Sequence, residues 1–169
     1  TALFVGRLIP WKGGAIAVEA IARAPGWRLV VLGDGPDRRR LERLARRLGV
    51  AERVEFRGWQ PREEVWRAMR EEADVLLFPS LHDEAGWVVV EALLQGLPVL
   101  CLDHGGPPVV ARVLGASVAV VPPTRPDVAY SFAAALSRAL QTCPGLRQRP
   151  SDASLRVALA AGPFNESSS

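Results

Sequence analysis

The chain has 169 residues, the size of one domain, and 49% of them are hydrophobic, which provides for a full core and excludes a disordered chain. Its 21 basic and 18 acidic residues leave a net charge of +3, and its apolar runs fall short of the roughly 18–20 residues a membrane-crossing helix needs. Many of the arginines sit in Arg38-Arg39-Arg40, Arg43 and Arg46-Arg47, interleaved with Leu41, Leu44 and Leu48. That is the solvated face of an amphipathic helix, and no stacking aromatics lie beside it to make a nucleic-acid stripe.

Strand and helix signals alternate along the chain. Ala2–Gly6 reads as a strand, so no signal peptide opens the sequence, and a chain that starts inside a strand reads as a piece of a longer protein. Gly13–Ala24 follows, with Ile16, Ala17, Ala20, Ile21 and Ala24 at helical spacing. Trp27–Leu32 is a strand that ends in the turn Gly33-Asp34-Gly35-Pro36. Asp37–Leu48 is a helix with Gly49 as its C-terminal cap. Arg53–Phe56 is a short strand, and Pro61–Glu71 a helix with Val65, Trp66 and Met69 facing inward.

Asp74–Phe78 is the next strand, Gly86–Leu94 the next helix, and Pro98–Leu102 a strand leading to Gly105-Gly106-Pro107-Pro108 and a short helix. Ser117–Val121 is a strand and Pro126–Thr142 a helix, with a shorter helix over Ser151–Ala161 and a disordered tail over Gly162–Ser169. Continuous Val/Leu strands, each followed by a helix, predict a doubly wound α/β domain: a six-stranded parallel sheet with helices on both faces. Such a sheet binds ligands at the carboxyl ends of its strands.

The candidate site residues all fall at those ends. Gly6-Arg7-Leu8-Ile9-Pro10-Trp11-Lys12-Gly13-Gly14 follows the first strand. Its glycines let the backbone approach a ligand, and Arg7 with the chain's single lysine, Lys12, would clamp a diphosphate; two solvated surface cations is the other reading. After the fourth strand comes His82-Asp83-Glu84-Ala85-Gly86-Trp87-Val88-Val89-Val90-Glu91. A helix start near Gly86 offers backbone N–H groups to phosphate, and acids beside it suit sugar hydroxyls. His82 reads as a sugar-hydroxyl partner, a proton donor or a polar rim residue. Gly33-Asp34-Gly35 begins a dinucleotide fingerprint whose third glycine is replaced by Arg38, so a tight turn at the rim fits better. Neither a metal-ligand spacing nor a Gly-x-Ser-x-Gly elbow is present, and Cys101 and Cys143 are unpaired by spacing, as in a reducing compartment.

In this order, Phe4-Val5-Gly6-Arg7-Leu8 with Lys12-Gly13, Leu32-Gly33-Asp34-Gly35-Pro36, Val54-Glu55-Phe56-Arg57-Gly58, Ala73-Asp74-Val75 with Pro79-Ser80, Glu91-Ala92 with Gly96-Leu97-Pro98-Val99, and Gly105-Gly106-Pro107 resemble the C-terminal, donor-binding domain of retaining glycosyltransferases of family 4, with the GT-B fold. The resemblance runs from about Thr1 to Arg138. It implies a nucleotide-sugar donor domain over 1–161, with the N-terminal acceptor domain absent from this chain. Arg7 and Lys12 would hold the donor diphosphate. Asp83 and Glu91 would be the two ends of the family's E-x7-E motif, the first at the donor sugar and the second at the ribose. Gly86, Trp87 and Val88 would present the helix start, Arg57, Gly58 and Trp59 would lie along the base, and Gly6 and His82 would border the donor.

Asp83 departs from the family's glutamate and is one methylene shorter, so the loop moves inward, or Glu84 takes the role, or the sugar contact weakens. The resemblance implies no cofactor and no metal. It implies an acceptor sugar, lipid or small molecule met through the missing domain, no nucleic-acid partner, and a cytoplasmic location with peripheral membrane contact open to the full protein. The rivals are a nucleotide-sugar epimerase or a phosphorylase-like enzyme, a non-catalytic nucleotide-sugar-binding module, and a nicotinamide-dependent oxidoreductase. Lys12 is misplaced for a pyridoxal phosphate cofactor, and the missing glycine after Gly33 and Gly35 disfavours the oxidoreductase.

Overall fold

The computed structural model describes residues 1–82, 86–103, 105–106, 109, 118–121 and 127–134. Six strands form one parallel sheet: β1 (Ala2–Val5), β2 (Leu29–Leu32), β3 (Val54–Gly58), β4 (Val75–Phe78), β5 (Val99–Leu102) and β6 (Val118–Val121), in the order β3-β2-β1-β4-β5-β6. Its helices are α1 (Gly14–Arg23), α2 (Arg38–Arg47), α3 (Arg62–Arg67), which runs on into a π-helical turn Ala68–Glu72, and α4 (Trp87–Leu94). A further helical stretch covers 128–134.

Alternation along the strands builds two cores. Phe4, Leu29, Val31, Leu77, Leu100 and Leu102 face the layer of α1, α2 and 128–134, where Ile21, Leu41, Leu44 and Phe132 meet them. Leu3, Val30, Leu32, Leu76, Phe78 and Cys101 face α3 and α4, against Val65, Met69, Val89 and Leu93. Side chains buried on both faces are why these strands read as unbroken apolar runs. Every pairing is parallel, with Ala2 beside both Leu29 and Val75, and Leu76 beside Val99. The chain moves outward to β3, then returns to the other side of β1, so the order reverses between β1 and β4. The carboxyl edge at that reversal is the crevice position at which such sheets bind ligands.

The predicted elements that fall on described residues are present with shifted bounds. The strand expected over Arg53–Phe56 is Val54–Gly58, preceded by a 3₁₀ turn over Ala51–Arg53. The Arg53 guanidinium instead donates to the carbonyls of Ala24 and Trp27 at 3.1 and 3.0 Å, and so ties the start of β3 to the loop before β2. That loop keeps Trp27 out of β2 while burying it. The helix expected over Pro61–Glu71 breaks its pitch at Ala68, where the π turn points both Ala68 and Met69 into the core. The helices expected over Ser151–Ala161 and after Pro108, the end of Pro126–Thr142 beyond residue 134, Cys143 and the tail Gly162–Ser169 lie outside the described residues.

Cys101 is fully buried, and burial pushes its thiol up from 9.0 to about 11, with the Asp103 carboxylate adding to the effect. The folded value lies above the unfolded one, so the protonated thiol contributes stability below the unfolded value that is lost as pH rises toward the folded value. In a Cys143→Ser background, Cys101 should react with a disulfide reagent at pH 8 about 100-fold or more slower in the folded protein than in denaturant, because the thiolate is the attacking species. Equal rates in the two states would mean the thiol is not held in the core.

Candidate functional site

The loop after β1 is built by close backbone approach. Gly6 and Leu8 donate to the carbonyls of Leu32 and Asp34 at 3.0 and 2.9 Å, and Asp37 donates to Leu8 at 2.9 Å. The β1–β2 pairing thus continues past the strand ends into the two loops. Gly33 (φ +138°) permits it, because a Cβ there would lie 1.9 Å from the Gly6 carbonyl oxygen. Pro10 then opens a 3₁₀ turn, Pro10–Lys12, which places Lys12 directly before α1. Gly13 (φ +75°) is pressed against the β4 loop, where a Cβ would meet the Pro79 carbonyl oxygen at 2.1 Å. Leu81 donates to the Trp11 carbonyl at 2.8 Å across the same seam, and the buried Ser80 hydroxyl donates to the His82 carbonyl at 3.3 Å. The loops of β1 and β4 therefore form one ledge along the crevice.

A cleft of about 280 Å³ lies over the ends of β1, β2 and β3, lined by Val5, Gly6, Arg7, Leu32, Gly33, Asp34, Trp59, Gln60 and Val65. Of the predicted site residues, Gly6, Arg7 and Trp59 line it, and Trp59 is 74% exposed at its rim. Gly33 and Asp34, read from the sequence as a tight turn at the rim, line it too, whereas Val65 was expected only to face inward and Gln60 had no role in the sequence reading. The signal for Gln60 is its place directly after Trp59. Its amide nitrogen donates to the Arg57 carbonyl at 3.0 Å, which fixes the side chain beside the cleft.

Arg57 points elsewhere. The β2–β3 register slips by one residue, with Phe56 opposite Val31 and Gly58 opposite Leu32, so Arg57 is the extra residue of a bulge. Its guanidinium pairs with Glu55 at 3.0 Å and Glu72 at 2.7 Å. The bonds from Arg57 hold the Glu55 carboxyl below the usual carboxylate range. Gly58 (φ +75°) turns the chain into Trp59 and accepts from the Gly33 amide at 2.7 Å.

On the other side of the crevice, α4 starts from Gly86 in the left-handed conformation with no side-chain cap and no acid in its first turn. Trp87 is exposed, Val88 is partly buried, and His82 is exposed on the β4 loop. Glu91 follows one turn later, with its carboxylate 2.8 Å from the Arg62 guanidinium. Asp83 and Glu84 lie outside the described residues. Of the described candidate residues, Arg7 thus lines the cleft, Lys12 closes the 3₁₀ turn before α1, and Gly86 and Glu91 belong to the start and second turn of α4. Among the described residues, no group of three or more His, Cys, Asp or Glu side chains could hold a metal ion. No helix in that part is long and apolar enough to cross a membrane.

Residues 1–154 match the family profile of glycosyl transferases group 1. The chain belongs to that family. The lipopolysaccharide core biosynthesis glycosyltransferase LpsE of Rhizobium meliloti is 41% identical over 103 residues, which cover 61% of this chain and 29% of the relative. The structure of sucrose-phosphate synthase from Thermosynechococcus elongatus superposes with a TM-score of 0.78 at 27% identity, over 94% of this chain and 40% of that one. Anabaena HepE, in a structure with UDP-glucose, superposes with a TM-score of 0.76 at 25% identity, over 94% of this chain and 44% of that one. The chain thus spans less than half the length of these glycosyltransferase-family relatives. Its doubly wound parallel sheet is Rossmann-like, as in the GT-B glycosyltransferases.

Gly33→Ala tests the ledge. The left-handed backbone and the approach to Gly6 together predict a loss of about 2–4 kcal/mol, read from chemical denaturation. A loss below about 0.5 kcal/mol would show that the two loops separate freely.

Proposed function

We propose that this chain is the donor-binding domain of a retaining, family 4 glycosyltransferase, and that it holds a nucleoside-diphosphate sugar at the crevice between β1 and β4. The observation that carries the reading is the seam that joins the loop of Arg7 and Lys12 to the β4 loop, with Gly13 against Pro79 and Leu81 donating to Trp11. Arg7 and Lys12 take the diphosphate, and the N–H groups at Gly86, Trp87 and Val88 take sugar and phosphate oxygens. Glu91 takes ribose hydroxyls, and Trp59 lies along the base with Gly58. Asp83 or Glu84 meets the donor sugar. A UDP-sugar is the first donor to test, because HepE was solved with UDP-glucose.

As the glycosidic bond breaks, negative charge grows on the leaving diphosphate. Fixed cations and a helix dipole stabilise that charge where it develops, and the reading includes no metal. The acceptor, a sugar, lipid or small molecule, is met by a second domain. The isolated chain therefore binds donor without transferring it. The full enzyme works in the cytoplasm, with the membrane surface open to it as a place of work. A catalytically silent binding module would share the binding behaviour and differ only in the full-length protein, which would then show no transfer.

Calorimetry with UDP, GDP and ADP should show binding of one of them, unchanged by EDTA. Lys12→Ala and Arg7→Ala should each weaken it by about 10–100-fold, the value of a charge-assisted hydrogen bond. Absence of binding by all three nucleotides, or wild-type affinity in both variants, would overturn the donor-site reading.

A further inference from the structure

Arg62 is the first residue of α3, a poor place for a cation because the positive end of the helix dipole lies there. Glu63 and Glu64 behind it have the favoured sign. The Arg62 side chain is nevertheless placed in a defined way. Its guanidinium lies over the Trp66 ring, 4.5 Å from the centroid, one helical turn along. From there it reaches across to α4 and meets Glu91 Oε1 at 2.8 Å. The Glu91 side chain is 24% exposed and that of Arg62 65%. Among the described residues, the second carboxylate oxygen of Glu91 has no partner.

A surface ion pair adds little to stability, and α3 and α4 are already tied at their far ends by Arg70, which donates to the Gln95 side chain at 3.0 Å. What the Arg62 contact supplies is orientation. A guanidinium held over an indole has less freedom than one in solvent, and the carboxylate it holds shares that constraint.

We infer that Arg62, braced on Trp66, is a positioning residue for ribose recognition: it occupies one oxygen of Glu91 and leaves the other directed to the hydroxyls of a bound nucleotide. The inference rests on the donor-site reading above and goes beyond it by assigning Arg62 and Trp66. It requires that Arg62 matter only when both Glu91 and the ribose hydroxyls are present.

The test measures the affinity of UDP, GDP and ADP and of their 2′,3′-dideoxy counterparts for wild type, Arg62→Met, Arg62→Lys and Glu91→Gln, and for Glu91→Gln combined with Arg62→Met. Methionine keeps an apolar stem over Trp66, and thermal unfolding checks that each variant is folded. Wild type should prefer the ribonucleotide by about tenfold or more, as expected for a hydrogen bond to a charged acceptor. Arg62→Met should remove most of that preference and change dideoxynucleotide affinity by less than about twofold. Arg62→Lys should restore it only in part, and Arg62→Met should have no further effect in the Glu91→Gln background. An unchanged preference in Arg62→Met, or equal weakening of both nucleotide forms, would overturn the inference and leave the donor site standing. No binding of any nucleotide by wild type would remove the donor site and this inference with it.

Discussion

The site depends on how closely the backbone after β1 approaches its two neighbours. On one side Gly33 lets the β2 loop continue the parallel ladder beyond the strand ends, and on the other Gly13 is pressed on Pro79. A side chain at either position would drive the loops apart, because the nearest atoms are backbone carbonyls that cannot turn aside. The strand order reverses at this seam, so the helices that follow β1 and β4 diverge to opposite faces of the sheet. Without the ledge, Lys12 and the start of α4 would belong to separate halves of the molecule. With it, they share one edge.

The fold was legible because parallel strands buried on both faces leave an unmistakable record. Leu29–Leu32, Val75–Phe78 and Val99–Leu102 are buried at every position, and each is an unbroken apolar run in the sequence. The glycines at the strand ends were legible for the same kind of reason, since few other residues tolerate their backbone angles. The 3₁₀ turn at Pro10–Lys12, the bulge at Arg57 and the π turn at Ala68 were not. Each is a local departure set by what packs against it, and none changes the composition of its segment. Of the site, Arg7 and Trp59 were legible as candidate residues and line the cleft, while Gln60 could be inferred only from its place after Trp59 and Val65 read as a core residue alone. The meeting of Arg62 with Glu91 joins two helices distant in sequence and could be seen only once both were in place.

Arginine also shapes the end of β2 and the start of α2. In a dinucleotide-binding fingerprint the third glycine lets the helix pack closely on the strand. Here Arg38 stands at that place and is consumed by the fold: it pairs with Asp34 at 3.4 Å and Glu42 at 3.0 Å, and donates to the Phe56 carbonyl at 3.2 Å. Its bonds to these acids hold it firmly charged, the one to Glu42 most of all. Two acids therefore sit at the start of α2, Asp34 with one oxygen on the Gly35 amide and Asp37 held below the usual carboxylate range by Arg40. A phosphate at that helix start would meet negative charge already in place. The start of α2 is thus taken up by one arginine and the acids around it, while the loop that carries Arg7 and Lys12 is joined to the β4 loop at the seam between β1 and β4.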